Sequence, residues 1–476
     1  MITTAFAVDG KAIPEIPFDA GESYSGLLPI SSKADETKKL FFWFWPSKNQ
    51  SVDDEVVIWL NGGPGSSSLF GFLQELGPFM WAPETAQPYR NTWTPVNLTN
   101  VVWVEYPVGT GYTEGTPTAT SEEEIALEFL GFWQNFMTLF SMQGRKVYIL
   151  GESYTGWYTP YIGAAMLDAA NTTYYDFRGA ALVSPIITSL DGILANSVGA
   201  ASFAKDNNNI LNLNDEWLTF LNNKSAACGY DDFLSTYLVY PPKPGPMPFP
   251  FPIEESGYGT FDCDTRNVIV IGSQYQNQCY NVYNILDNCP PRSDVIQNPI
   301  PGTEPYFNRA DVKAALHVPA TTDWVNGGRI VFANSSLDGS SPQNDRSLMP
   351  IISVLPKIIE ASKRTIIISG AMDSVVLHTG VELAIQNMTW NGAQGFQSGE
   401  MEKFVVDPFE EFVPETFSGL GQLGKTHTER GLTYILLQRS GHFVPTDAPG
   451  GFYKAVEFLL GRRDDMEGGT SFYWSE

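Results

Sequence analysis

Seven short apolar runs, each bounded by turn residues, constrain this chain more than any other feature. They are Leu40–Trp45, Val56–Leu60, Val101–Tyr106, Val147–Leu150, Ala180–Val183, Thr365–Ser369 and Leu432–Leu437. A strand with one wet face alternates apolar and polar residues, whereas a continuously apolar run needs cover on both faces. Helical patterns lie between several of these runs. Glu122–Phe140 opens with acids and carries apolar residues at helical spacing, with Ser121 placed to cap it. Tyr158–Ala170 follows the Val147–Leu150 run, and Ala455–Leu460 reads as a closing helix. Strands alternating with helices predict an α/β fold, its mostly parallel central sheet flanked by helices. A chain of 476 residues, 43% of them hydrophobic, is long enough to fill such a core.

From about Asp191 to Pro305 the pattern breaks. This stretch holds all four cysteines, Cys228, Cys263, Cys279 and Cys289, and the proline-rich run Pro241–Pro252. Such a run cannot be a central strand or a helix interior. Strand signals resume near Thr365, so the reading is one core interrupted by an insertion. Residues 1–190 form its first part, 191–305 a cap-like insertion, and 306–476 its second part. The cysteines form no CxxC pair and lack the histidine partners of a zinc site. Two disulfides are expected, with three connectivities open, and disulfides imply an oxidising compartment.

Six N-x-[ST] sequons, at Asn49, Asn97, Asn171, Asn223, Asn334 and Asn387, are glycosylation candidates consistent with that compartment. Met1–Phe6 is too short and uncharged for a signal peptide, so a secreted chain has had its signal removed. No apolar run is long enough to span a bilayer, and the end of the chain carries no hydrophobic anchor. The formal net charge of −25 should repel nucleic acid and anionic membranes. It fits solubility in acid and ordinary acidic solubility equally well.

The chemistry begins at Gly151-Glu152-Ser153-Tyr154-Thr155-Gly156. In a G-x-S-x-G pattern the last glycine falls at Thr155, and the glycine arrives one place late, at Gly156. A strand nevertheless runs straight into Ser153 and a helix runs out, the strand-turn-helix of a nucleophile elbow in an α/β-hydrolase. A serine hydroxyl needs a base, and the histidines are His317, His378, His427 and His442. His317 sits in an apparent helix, Asp311–His317, and His427 in a polar loop, Gly421–Glu429. His442 and Asp373 each follow a strand, at the sheet edge where open α/β folds bind ligands. His378, five residues beyond Asp373, is the second candidate base. A third element, Trp59–Ser68, ends a strand in a glycine-rich turn able to aim N–H groups at an oxyanion. No Gly-Lys-Ser/Thr follows it, which disfavours a phosphate loop.

Together these residues resemble the serine carboxypeptidase family, most closely its fungal members. The resemblance rests on Trp59–Ser68, Glu75-Leu76-Gly77-Pro78, Asn97–Asn100, Pro107–Gly111, Gly151–Tyr154, Gly370–Asp373 and Gly441-His442, in family order across nearly the whole chain. It implies an enzyme that releases C-terminal amino acids from peptides through an acyl-enzyme, without metal or cofactor. By position, Ser153 is the nucleophile, His442 the base and Asp373 its partner, with an oxyanion hole at the Gly63 and Tyr154 backbones. Asn61, Gly62, Glu75 and Glu152 match the group that receives the substrate carboxylate. Two ionised glutamates would repel that carboxylate, so a retained proton, and activity favoured by acid, are expected.

Phe70, Gln74 and Phe443 fall near the leaving-residue pocket, and Tyr154, Val375 and Val376 near the other. The sequence departs from the family pattern at Ser66, where a cysteine is usual, at Thr155 beside the nucleophile, and at Phe443, where methionine is common. The expected setting is secreted, with a vacuolar destination as the alternative. The expected state is a monomer or homodimer acting on peptide or protein C-termini. An esterase or acyltransferase on the same scaffold, and a decayed hydrolase kept as a binding protein, are the competing readings.

Overall fold

The computed structural model describes residues 3–47, 54–83, 85–188, 196–248, 263–287, 295–296, 303–327, 330–333, 335, 345–406 and 420–466. Its central sheet has eleven strands. In chain order they are β1 Ala7–Val8, β2 Ser23–Pro29, β3 Lys39–Trp45, β4 Glu55–Leu60, β5 Asn100–Val104, β6 Lys146–Glu152, β7 Asp176–Val183, β8 Arg364–Gly370, β9 Glu402–Val406, β10 Gly421–Glu429 and β11 Leu432–Leu437. Across the sheet they run β1-β2-β3-β5-β4-β6-β7-β8-β11-β10-β9. The central block from β5 to β11 is parallel throughout. Antiparallel strands flank it on both sides.

The continuous apolar runs are explained by cover on both faces. Ile58, Val102, Ile149 and Leu182 enter one core, against Phe129, Trp133 and Phe136 of helix α1 (Glu122–Leu139) and Tyr158 and Ile162 of helix α2 (Thr155–Ala169). Their neighbours Val57, Trp59, Val101, Trp103 and Leu150 enter a second core on the other face, with Phe72, Phe452 and Val456. Ser121 Oγ accepts the Glu124 N–H at 3.3 Å, and three glutamates sit in the first turn of α1, where the helix dipole favours them.

Several elements depart from the sequence reading. Helix α2 begins at Thr155, immediately after the Ser153 turn, three residues earlier than the apolar spacing suggests. The closing helix spans Pro449–Leu459, and the short helix before His317 spans Ala310–Ala315. Gly421–Glu429, expected as a polar loop, is strand β10: an outer strand with one open face alternates in burial and carries little apolar signal. Strand β9 has the same open character, β1 is only two residues long, and β2 (Ser-Tyr-Ser-Gly-Leu-Leu-Pro) is mostly buried but carries serines, glycine and proline in place of an apolar run.

After β7 the chain forms helices α3 (Ala200–Leu211), α4 (Asp215–Ala227), α5 (Tyr230–Tyr237) and α6 (Thr265–Gln276). Phe203, Leu213, Leu221 and Ile269 give part of this region its own small core, which also takes in Leu377. Cys228 is bonded to Cys263, and Cys279 is also disulfide-bonded. Cys289 and the end of the proline-rich run lie outside the described residues.

Candidate active site

Strand β6 delivers the chain to Ser153, which takes the left-handed conformation at φ 64°. For a residue with a Cβ this costs free energy, so the surroundings must hold it. They do so through the backbone. Ser153 N–H donates to Val183 O at 2.8 Å, and Ser153 O accepts N–H groups from Gly156 and Ile186, both at 3.0 Å. The displaced glycine of the motif has a reason here. A Cβ on Gly156 would lie 2.1 Å from Ile186 O, so it is position 156 that must stay bare.

Asp373 and His442 come from the turns after β8 and β11 and are both fully buried. His442 Nδ1 lies 2.7 Å from Asp373 Oδ2. Asp373 Oδ1 accepts the N–H groups of Val375 at 2.7 Å and Val376 at 3.0 Å. The adjoining loops are laced together. Ser184 Oγ donates to His442 O at 2.9 Å, and Ser184 N–H to Ile368 O at 2.6 Å. Since Val183 holds Ser153, one two-residue step at the end of β7 is bonded to the serine, to β8 and to the histidine.

The other histidines are engaged elsewhere. His378 Nδ1 pairs with Glu382, one turn along its own helix, at 3.1 Å. His427 contacts Glu429 and Glu400 O, and His317 contacts Ser25 O.

The glycine-rich turn closes over the serine. A Cβ on Gly62 would sit 2.4 Å from Tyr154 N and 2.9 Å from Ser153 Cβ. Gly63, at φ 109°, needs the freedom that only glycine has. Among the described residues, the N–H groups of Gly63 and Tyr154 have no acceptor. The Tyr154 ring itself is buried: it stacks with Trp157, and its hydroxyl donates to Glu122 Oε1 at 2.9 Å.

Asn61 ties the two glutamates together. Its Nδ2 donates to Glu75 Oε1 at 2.9 Å and faces Glu152 Oε1 at 3.4 Å. Its Oδ1 accepts Trp59 Nε1–H at 2.7 Å and Gly71 N–H at 3.2 Å, which fixes the amide orientation. Both glutamates are buried, and neither Oε2 has a conventional partner. Burial raises the pKa of Glu75, and burial followed by the Glu75 charge raises that of Glu152 well above the usual range. Both shifts favour the neutral form, and a protonated carboxyl can donate where an ionised one can only accept.

Phe70 and Phe443 pack at 5.0 Å, and Phe443 stacks on Tyr283 at 5.0 Å. Gln74 is buried, and its backbone carbonyl accepts Thr446 Oγ1–H at 2.9 Å. Val376 is buried and Val375 partly so.

Sequence reasoning passed over Tyr283 and Glu105. The Glu105 carboxylate accepts Ser67 Oγ–H at 2.6 Å, Ser68 N–H at 3.1 Å and Trp324 Nε1–H at 3.2 Å, which clamps the end of the glycine-rich turn. Its signal was available: one acid inside the apolar run Val101–Tyr106.

A parallel sheet with these loops at its C-terminal edge defines an α/β-hydrolase. The serine carboxypeptidase family profile matches residues 14–461. A probable serine carboxypeptidase of Arthroderma benhamiae is 40% identical over 98% of this chain and 88% of its own length. Serine-type carboxypeptidase F of Aspergillus niger is also 40% identical, over 96% of this chain and 87% of its own. The crystal structure of Kex1(delta)p, a prohormone-processing carboxypeptidase from Saccharomyces cerevisiae, superposes with a TM-score of 0.73 at 20% identity, covering 97% of this chain and 96% of that one. This chain belongs to the serine carboxypeptidase family and is a serine-type carboxypeptidase. Among the described residues, no helix is long and apolar enough to cross a membrane.

Proposed function

We propose that Ser153, His442 and Asp373 carry the reaction. Ser153 Oγ attacks the scissile carbonyl while His442 takes its proton, and the imidazolium that forms is stabilised by Asp373. The N–H groups of Gly63 and Tyr154 receive the oxyanion. His442 then returns the proton to the leaving amine, and water repeats the sequence to release the acyl group from Ser153. The observation that carries this reading is the 2.7 Å bond between His442 and Asp373, formed at the sheet edge where Ser153 is held in its left-handed turn.

The substrate carboxylate is received by Asn61, the Gly62 backbone and the Glu75–Glu152 pair. A protonated pair donates to it, whereas an ionised pair repels it, so binding favours acid. Phe70, Gln74 and Phe443 shape the pocket for the leaving residue, and Val375 and Val376 the pocket on the other side.

Residues 191–305 act as a cap over the core made by residues 1–190 and 306–476. The disulfides support an oxidising compartment, either the cell exterior or the vacuole. The exposed sequons at Asn171 and Asn223 suit glycans. Asn97 Nδ2 already donates to Thr92 O, and Asn387 Oδ1 accepts Met247 N–H.

The test is Ser153→Ala, with fluorophosphonate labelling of the wild type. The variant should fold, fail to label and lose at least about a thousandfold in turnover of a blocked dipeptide. Surviving turnover would remove Ser153 from the mechanism.

A further inference from the structure

His442 stands in a loop beyond the end of β11, outside the hydrogen-bond ladder that fixes the strands. Its imidazole is aimed by Asp373, but its backbone must be held by other means. Residues 280–287, far from His442 in sequence, reach the loops of both Asp373 and His442. On the Asp373 side, Ser374 N–H donates to Val282 O at 3.0 Å, Ile285 N–H donates to Met372 O at 3.1 Å, and the Tyr280 and Ser374 hydroxyls are bonded at 2.7 Å. On the histidine side, His442 N–H donates to Tyr283 O at 2.7 Å. A Cβ on Gly441 would lie 2.2 Å from Tyr283 O and 2.6 Å from Asn284 Cβ, so the two segments are in backbone contact.

Asp447 closes this arrangement. Its Oδ2 accepts the Gly441 N–H at 2.7 Å and Asn284 Nδ2–H at 3.1 Å. Asn284 Oδ1 accepts the Leu286 N–H at 3.0 Å, so the amide is oriented with its donor toward Asp447. One carboxyl oxygen therefore joins Gly441, the residue preceding His442, to the segment that also holds the Asp373 loop.

We propose that Asp447 and Asn284 are positioning residues for peptide hydrolysis, holding the Gly441–His442 backbone so that the imidazole spans Asp373 and Ser153. This inference rests on His442 being the base. The chemistry of Asp447 identifies which property matters. Burial pushes its carboxyl up to about 7; the Gly441 N–H and Asn284 oppose this shift, and Asp287 and Glu75 add to it. In acid the group is neutral, and its carbonyl oxygen still accepts both N–H groups. An asparagine keeps that acceptor and an alanine removes it.

The experiment compares Asp447→Ala, Asp447→Asn and Asn284→Ala. It reads kcat and KM on a blocked dipeptide per titrated active site, and the low-field proton resonance of the His442–Asp373 bond. Misplacing a catalytic group by about an ångström costs roughly a hundredfold, so Asp447→Ala should lower kcat about ten- to a hundredfold with KM within about twofold, and broaden the low-field resonance. Asp447→Asn should recover to within about threefold of wild type. Asn284→Ala should show a smaller loss that does not add to that of Asp447→Ala, because both act on one contact.

Full kcat in Asp447→Ala, or equal losses in Asp447→Ala and Asp447→Asn, would overturn the proposal. If Asp447→Ala does not fold, Asn284→Ala decides, and an unchanged kcat there overturns it equally. The underlying assignment fails separately: His442→Ala would then retain turnover. An inactive His442→Ala beside a fully active Asp447→Ala rejects the positioning role alone.

Discussion

Asp373 divides its two oxygens, giving Oδ2 to His442 Nδ1 and Oδ1 to the N–H groups of Val375 and Val376. The division predicts the result of Asp373→Asn. Only the amide oxygen can face the two backbone donors, so the amide nitrogen must face His442. That favours the imidazole tautomer with its proton on Nε2, the atom that should take the proton of Ser153. Turnover should fall by roughly three to four orders of magnitude with little change in KM, as steady-state kinetics on a blocked dipeptide would register. A tenfold loss or less would mean that Asp373 does not set the tautomer.

The Glu75–Glu152 pair predicts how binding depends on pH. Both pKa values are raised, so the proton is present in acid and is lost as pH climbs through the titration of the pair. KM for a substrate with a free C-terminus should therefore rise with pH, while an amidated substrate should show a much weaker trend. Glu152→Gln cannot ionise and should flatten the rise. KM measured from pH 4 to 8 on both substrates checks this, and an identical pH trend for the two would contradict it.

Gly62 offers no room for a side chain. A methyl group there would meet Tyr154 N at 2.4 Å and Glu152 O at 2.5 Å, both backbone atoms that cannot turn aside. Gly62→Ala should push the glycine-rich turn off the serine and lower kcat by about a hundredfold, the scale of a lost oxyanion donor. A crystal structure of the variant would show the displaced turn, and near-normal kcat would show that the turn does not define the oxyanion site.

Glu105 and Glu457 are buried and each is pushed up to about 7, mainly by burial. The sign of the stability effect follows from proton linkage. With the folded value above the ordinary 4.5, the folded state holds the proton more tightly than the unfolded chain. Their contribution is complete below about pH 4.5 and is lost as pH rises toward about 7. Calorimetric melting should show a lower Tm at pH 8 than at pH 5, and Glu105→Gln should reduce the difference. A Tm that climbs across this interval would refute the assignment.

The sequence by itself determined the parallel core, the serine elbow and the glycine-rich turn. Each rests on local chemistry: runs such as Val56–Leu60 need cover on two faces, and a turn between strand and helix needs a tight backbone at Gly151–Gly156. The outer strand β10 was not legible, because a strand with one open face keeps little apolar signal.

By position in the chain His442 was already the first candidate base, but only the tertiary structure brought the partners into contact. By proximity in sequence His378, five residues from Asp373, was a candidate base, yet Asp373 bonds His442, 69 positions away. Glu105 and Asp447 gain their roles in the same way, from donors on other segments. Local propensity acts over a few residues, whereas a hydrogen bond depends on distance and direction in space, whatever the separation along the chain. That distance is set by how β8, β11 and residues 280–287 pack together.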